Sequence, residues 1–125
     1  MPTITGIHHA SLLVADTAQA LAFYRGLLGL EVAANRPDLG FPGAWLRVGD
    51  HQIHLLQVPN PDPLIGRPEH GGRDRHLALV VRDLGQIVDR LEKARIPFTR
   101  SRSGRPALFC RDPDANALEF MEGSP

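Results

Sequence analysis

Four side chains able to bind a metal ion recur along this chain at matched spacing: His9, His54, His76 and Glu119. His9 opens the run HASLLVAD (9–16) and His76 opens HLALVVRD (76–83), an offset of 67 residues. Overlaid, the two runs match at His, Leu, Val and Asp. His54 follows His9 by 45 residues, and Glu119 follows His76 by 43. Three imidazoles and one carboxylate form a donor set of borderline hardness. It suits Zn, Ni, Co, Mn or ferrous iron better than Mg or Ca. Taken singly, each of these residues reads as an ordinary strand or surface side chain. Repeat position and strand phase select the same four together. His8, His51 and His70 read as surface, turn and linker residues.

Strands must hold such a set, because strand side chains alternate between two faces. In the first run Ile4, His8, Ala10, Leu12 and Val14 fall on one face, which is nearly all apolar and suits the core. Thr5, Ile7, His9, Ser11 and Leu13 fall on the other, so His9 faces a cavity and His8 does not. In QIHLLQV, His54 is in phase with Gln52 and Leu56. In NALEFME, Glu119 is in phase with Ala117 and Met121, while Leu118 and Phe120 face the core. An ionised Glu on such a strand costs free energy unless it is paired or metal-bound.

After each Asp comes a helical stripe. Leu21, Tyr24, Leu27 and Leu28 follow Asp16, with Gly29 as the stop. Leu84, Ile87, Val88, Leu91 and Ala94 follow Asp83, with Pro97 beyond the end. Strands are expected at 31–34, 44–48 and 52–58, and again at 98–100, 107–110 and 117–121, with turns at Gly49-Asp50 and DPDAN (112–116). The Pro- and Gly-rich stretch 59–72 reads as a linker. The expected fold is α+β: two βαβββ modules, about 1–58 and 73–122, in a single domain spanning 1–125. They are expected to form one curved mixed sheet around a metal cavity.

The 125 residues fit one domain with a real core. No apolar run approaches membrane-spanning length, and no basic-then-apolar leader is visible. The one cysteine, Cys110, excludes an internal disulfide and fits a reducing cytosol, so a cytoplasmic location is expected. Net charge is zero with a pI near 7, which gives no footprint for a nucleic-acid or membrane partner. The partner expected is a small molecule. All but one of the 14 basic residues are Arg, the type suited to gripping carboxylate or phosphate bidentately. In FTRSRSGRPAL (98–108), Arg102, Ser103 and Arg105 are candidates for binding an anionic tail; a solvated basic loop is the equal alternative. Arg36 and Trp45 are candidate pocket walls, with a core role for Trp45 equally open. Tyr24 reads as helix core.

The sequence resembles the vicinal oxygen chelate superfamily, which includes glyoxalase I, methylmalonyl-CoA epimerase, fosfomycin-resistance proteins, extradiol dioxygenases and bleomycin-binding proteins. The resemblance covers essentially the full length and rests on HHASLLVAD with FYRGLLGLEV behind it, RHLALVV, and RDPDANALEF. It implies paired βαβββ modules around a divalent metal, with ligands on the strands identified above. It also implies a homodimer, in some members with ligands shared across two chains. The metal would hold neighbouring substrate oxygens and stabilise an oxyanion. The expected activity is that of a lyase or isomerase acting on a small oxygenated, anionic substrate, with His54 and Glu119 as catalytic groups. The alternatives are thiol or water addition of the fosfomycin-resistance kind and non-enzymatic, bleomycin-like sequestration. Two departures stand out. Glyoxalase-like members commonly carry a carboxylate or amide where this chain has His54, and the turn reads DPDAN rather than DPDGN. With three neutral imidazoles and one carboxylate, a divalent ion keeps a net charge of about plus one, favouring Lewis-acid chemistry and an anionic ligand.

Overall fold

Asp16 and Asp83 occupy equivalent places in the repeat, and each turns a strand into a helix by the same device. The Asp16 carboxylate accepts the Gln19 amide hydrogen at 2.9 Å, and that of Asp83 accepts the Gly85 amide hydrogen at 2.9 Å. Each contact satisfies a donor that a helix start leaves open. A computed structural model of the chain describes residues 2–123. In order, its elements are β1 (His9–Leu13), α1 (Thr17–Leu21), β2 (Glu31–Val32), β3 (Gly43–Val48) and β4 (His51–Leu56). Then follow β5 (His76–Val81), α2 (Leu84–Lys93), β6 (Phe98–Arg100), β7 (Ala107–Arg111) and β8 (Ala117–Glu122). The chain divides into two units, Met1–Asn60 and Pro61–Pro125.

Each unit holds a four-stranded mixed sheet, ordered β1-β4-β3-β2 in the first and β5-β8-β7-β6 in the second. The fold is α+β. The two orders are the same order, and the duplication extends to register. Ser11, His54 and Trp45 align across β1, β4 and β3, while Ala78, Glu119 and Phe109 align across β5, β8 and β7. Among the described residues the ladders run within each unit, giving two sheets where the sequence suggested one. Loop chemistry signals where a strand turns but carries no pairing partner, so the sequence leaves this open.

Alternation separates the faces as the residue pattern requires. Leu46, Ile53 and Leu55 are buried on one face of the first sheet, and Leu108, Leu118 and Phe120 on one face of the second. The neighbours in opposite phase carry the polar and aromatic groups. β1 begins later than expected. Ile4 and Ile7 precede it and are 84% and 77% exposed, so Ile4 is no part of the core.

The first helical stripe also differs from a regular helix. α1 continues into a wider π-helical turn, Ala22–Leu27, where the Leu28 amide donates to the Phe23 carbonyl at 2.9 Å, five residues back. The extra residue in that turn lets adjacent Phe23 and Tyr24 both point inward, packed edge to face at 5.0 Å. Tyr24 is core, as the stripe implies. Gly29 ends the turn with φ 78°, a conformation that suits glycine.

Candidate functional site

In the first unit, β1, β4 and β3 set three rings in a stack. His54 lies between His9, at 3.9 Å and 14°, and Trp45, at 4.4 Å and 10°. Register explains the stack, since Trp45 sits directly opposite His54 and His9 lies two residues along β1 from Ser11, the partner of His54, on the same face. His54 is buried. Its Nε2–H donates to the Gln52 amide oxygen at 2.7 Å, two residues along the same strand face, which leaves Nδ1 as the ring's lone pair. Burial, with the nearby His9, His8 and Arg36 charges, holds the His54 imidazole below its ordinary value. A neutral ring results near pH 7, the form that binds a metal or takes up a proton.

His8 contacts this group, although strand phase assigned it to the other face. It lies outside β1, so alternation does not govern it, and its Nδ1 meets that of His9 at 2.8 Å. Arg36 is held within its own loop. It donates to the Phe41 carbonyl at 2.9 Å and lies over the Phe41 ring at 5.3 Å. Gly43 permits this close approach, because a Cβ there would stand 2.2 Å from the Leu55 carbonyl oxygen and 3.0 Å from Arg36 Nη2.

In the second unit β5 and β8 present His76 and Glu119. His76 Nδ1 donates to the Asp74 carbonyl at 2.9 Å; a carbonyl only accepts, so Nδ1 carries the proton. Nε2 then faces Glu119 Oε1 at 3.2 Å. Glu119 is buried, its Oε2 makes no hydrogen bond, and the Arg105 guanidinium stands 3.5 Å from that oxygen. Ser103 Oγ accepts from the Arg105 amide at 3.3 Å and from its Nε at 3.2 Å, steadying the loop. Arg102 points elsewhere, into a hollow with His70, Arg73 and Thr99. Phe109 meets His76 edge to face at 5.1 Å and is the repeat counterpart of Trp45.

The structure thus brings the four candidate ligands together in twos, His9 with His54 and His76 with Glu119. Among the described residues no three His, Cys, Asp or Glu side chains stand as a ready-made metal cluster. Three further residues emerge. Gln52 fixes which nitrogen of His54 bears the proton, and its in-phase position already hinted at a role. Phe109 was available from the repeat as the partner of Trp45. Asp74 carried no signal, because it acts through its carbonyl and through contacts distant in sequence. Its carboxylate binds Arg67 at 3.2 Å and Arg111 at 2.8 Å, and accepts the Arg75 amide at 2.8 Å. Arg111 also donates to the carbonyls of Pro68 and Ala115.

These paired sheets and their donors define a class. The chain belongs to the Glyoxalase/Bleomycin resistance protein/Dioxygenase superfamily, whose family model matches residues 6–120. It is similar to Glyoxylase I 4 of Arabidopsis thaliana, 30% identical over 123 residues covering 94% of this chain and 70% of that protein. It is also similar to ethylmalonyl-CoA/methylmalonyl-CoA epimerase of Cereibacter sphaeroides, 30% identical over 121 residues covering 88% of this chain and 90% of the other. Among solved structures, a glyoxalase family protein from Bacillus anthracis matches with a TM-score of 0.82 at 25% identity, covering 99% of both chains. No helix among the described residues is long and apolar enough to cross a membrane.

Proposed function

We propose that this chain is a metal-dependent lyase or isomerase of the vicinal oxygen chelate type, working as a homodimer on a small oxygenated, anionic substrate. The two donor pairs, His9 with His54 and His76 with Glu119, are each one half of the ligand set of a divalent ion. One observation carries this reading. With Nδ1 committed to the Asp74 carbonyl, His76 turns its Nε2, the atom that carries the lone pair in the neutral tautomer, toward a buried carboxylate oxygen 3.2 Å away. Two electron-rich atoms at that separation need a proton or a cation between them. The second oxygen of Glu119 makes no hydrogen bond and meets the exposed Arg105 guanidinium only at 3.5 Å, so a cation bound directly to the carboxylate would offset its burial more fully. The donor chemistry therefore fits a borderline divalent ion.

Such an ion, when bound, polarises neighbouring substrate oxygens and stabilises negative charge developing on them. The protein's own groups supply the rest. His54, kept neutral by burial and by adjacent cationic groups, has its one lone pair at Nδ1, which would accept a proton only when released from the ion. Trp45 and His9 cover the two faces of its ring, fixing its plane and excluding water from both sides. Arg105, beside Glu119, offers a guanidinium to the anionic part of a substrate. The curated relatives named above include an acyl-CoA epimerase, which agrees with proton transfer at a carbon beside a carbonyl.

Metal analysis of untagged protein tests the reading. About one equivalent of divalent ion per chain is expected, with at least a tenfold loss of affinity in His76→Ala and in Glu119→Gln. Solvent deuterium should enter a thioester or hemithioacetal substrate at the activated carbon only in the metal-loaded protein. Absence of metal from the wild-type chain under all loading conditions would exclude the enzyme and leave a small-molecule-binding dimer.

A further inference from the structure

The second unit carries a hollow that the proposed chemistry does not use. It has a volume of about 400 Å³ and is lined by Pro68, Glu69, His70, Arg73, Thr99 and Arg102. It shares Glu69 and Thr99 with a second hollow of about 590 Å³, whose walls include Ile96, Pro97, Phe98 and Phe109. Thr99 pairs with Phe109 and Phe109 with Glu119, so all three side chains belong to one face of the sheet. Phe109 touches both His76 and His70, at 5.1 Å each. The two hollows therefore adjoin through Glu69 and Thr99, and Phe109, which also meets His76, forms part of the wall of the larger one.

The charges at the far end are unspent. Among the described residues, neither Arg73 nor Arg102 has an ion pair within 4.0 Å, whereas Arg67, Arg75, Arg105 and Arg111 each face a carboxylate. Glu69 also lines the hollow and forms no such pair, so the rim keeps a net positive charge. The frame is built. His70 uses both ring nitrogens, accepting from the Gly72 amide at 3.0 Å and donating from Nε2 to the Arg100 carbonyl at 2.9 Å. It thereby ties the segment carrying Arg73 to the strand end that leads to Arg102. A Cβ at Gly71 would meet Phe109 Cβ at 3.1 Å, so that segment packs directly on the sheet. Two forked cations on a fixed frame, with Thr99 also lining the hollow, suit a tetrahedral oxyanion.

We infer that this hollow is a binding site for a phosphate-type oxyanion, and that the adjoining apolar hollow takes the aliphatic or aromatic arm bearing it. The substrate of the proposed reaction is then an extended molecule, with neighbouring oxygens at the His76–Glu119 end and a phosphate group at the Arg73–Arg102 end. That link rests on the proposed function; binding of the oxyanion itself does not.

Phenyl phosphate is the probe, titrated calorimetrically into the full chain beside neutral benzyl alcohol. Saturable binding of phenyl phosphate is expected, weakened at least tenfold in the Arg73→Ala/Arg102→Ala double variant and by added salt. Benzyl alcohol should bind far more weakly. Arg82→Ala, outside the hollow, should bind as the wild type does, and circular dichroism should show all variants folded. His76→Ala should keep phenyl phosphate affinity while losing metal, which separates this inference from the proposed function. Equal binding in the double variant, equal binding of benzyl alcohol, or loss of phosphate binding in His76→Ala alone would each overturn it.

Discussion

His54 and Cys110 show how residue types that look reactive in a sequence are sorted by their surroundings. His54 is buried between two rings and neutralised, so it is available as a ligand or base. Cys110 is buried among Leu108, Leu118 and Phe120 on the core side of β7, and burial with the nearby Asp112 charge pushes its thiol up to about 12. Only the thiolate reacts, and at pH 8 roughly one thiol in ten thousand would be ionised. Native protein should therefore resist iodoacetamide at pH 8, whereas protein in urea should label to about one equivalent; mass spectrometry counts the adducts. Rapid native labelling would show that Cys110 is not held as described. Gln52 belongs to the same scale. Gln52→Glu would still accept from His54 Nε2, and by adding a negative charge should raise the imidazole's proton affinity, visible in an NMR titration of His54.

At the scale of elements, the duplicated caps and turns do equivalent work with different residues. The DPDAN turn between β7 and β8 folds around Asp112, whose carboxylate accepts the Asp114 and Asn116 amides at 2.8 and 2.9 Å. Ala115 sits there at φ 65°, in the left-handed region that favours glycine. The departure from DPDGN thus costs stability as well as local φ preference. Ala115→Gly should stabilise the second unit by about 1 kcal/mol, read as a higher urea midpoint with unchanged slope. A lower midpoint would mean that the entropy of the freed chain outweighs the relieved strain. The π-helical turn after α1 is the counterexample. Its apolar stripe was visible, but the side-by-side burial of Phe23 and Tyr24 needed one more residue in the turn than a 3.6-residue period allows.

At the scale of the whole chain, two units of one topology rely on different polar anchors. In the first, Gln57 accepts from the Thr17 amide at 2.8 Å and from its hydroxyl at 2.9 Å, joining the end of β4 to α1. In the second, Asp74 gathers Arg67, Arg111 and the Arg75 amide, binding residues 63–75 to the β7–β8 turn. The hydrogen bond from Arg111, aided by the Arg75 amide and by Arg67, holds the Asp74 carboxyl below its ordinary range despite burial acting the other way. A depressed carboxylate contributes stability that is present above its unfolded value near 3.8 and is lost as pH falls through the folded value. The urea midpoint should therefore drop as pH is lowered beneath about 4. Asp74→Asn should be less stable at pH 7, where two guanidinium groups lose their partner, and should show a shallower acid slope. An unchanged slope would remove Asp74 from the account of acid sensitivity.

Local rules made much of this protein legible. Alternation separated His9, His54 and Glu119 from the core residues beside them, two Asp residues announced two helices, and a 67-residue offset exposed the repeat. Each rests on periods and caps that a few neighbouring residues determine. Tertiary structure decided what periodicity cannot encode: the limits of β1, the pairing of strands into one sheet per unit, and the direction of each imidazole's lone pair. Gln52, two residues away, claims Nε2 of His54, and the Asp74 carbonyl claims Nδ1 of His76. Strand phase chooses a face for a side chain. Only its hydrogen-bonding partners choose which atom of the ring is left to do chemistry.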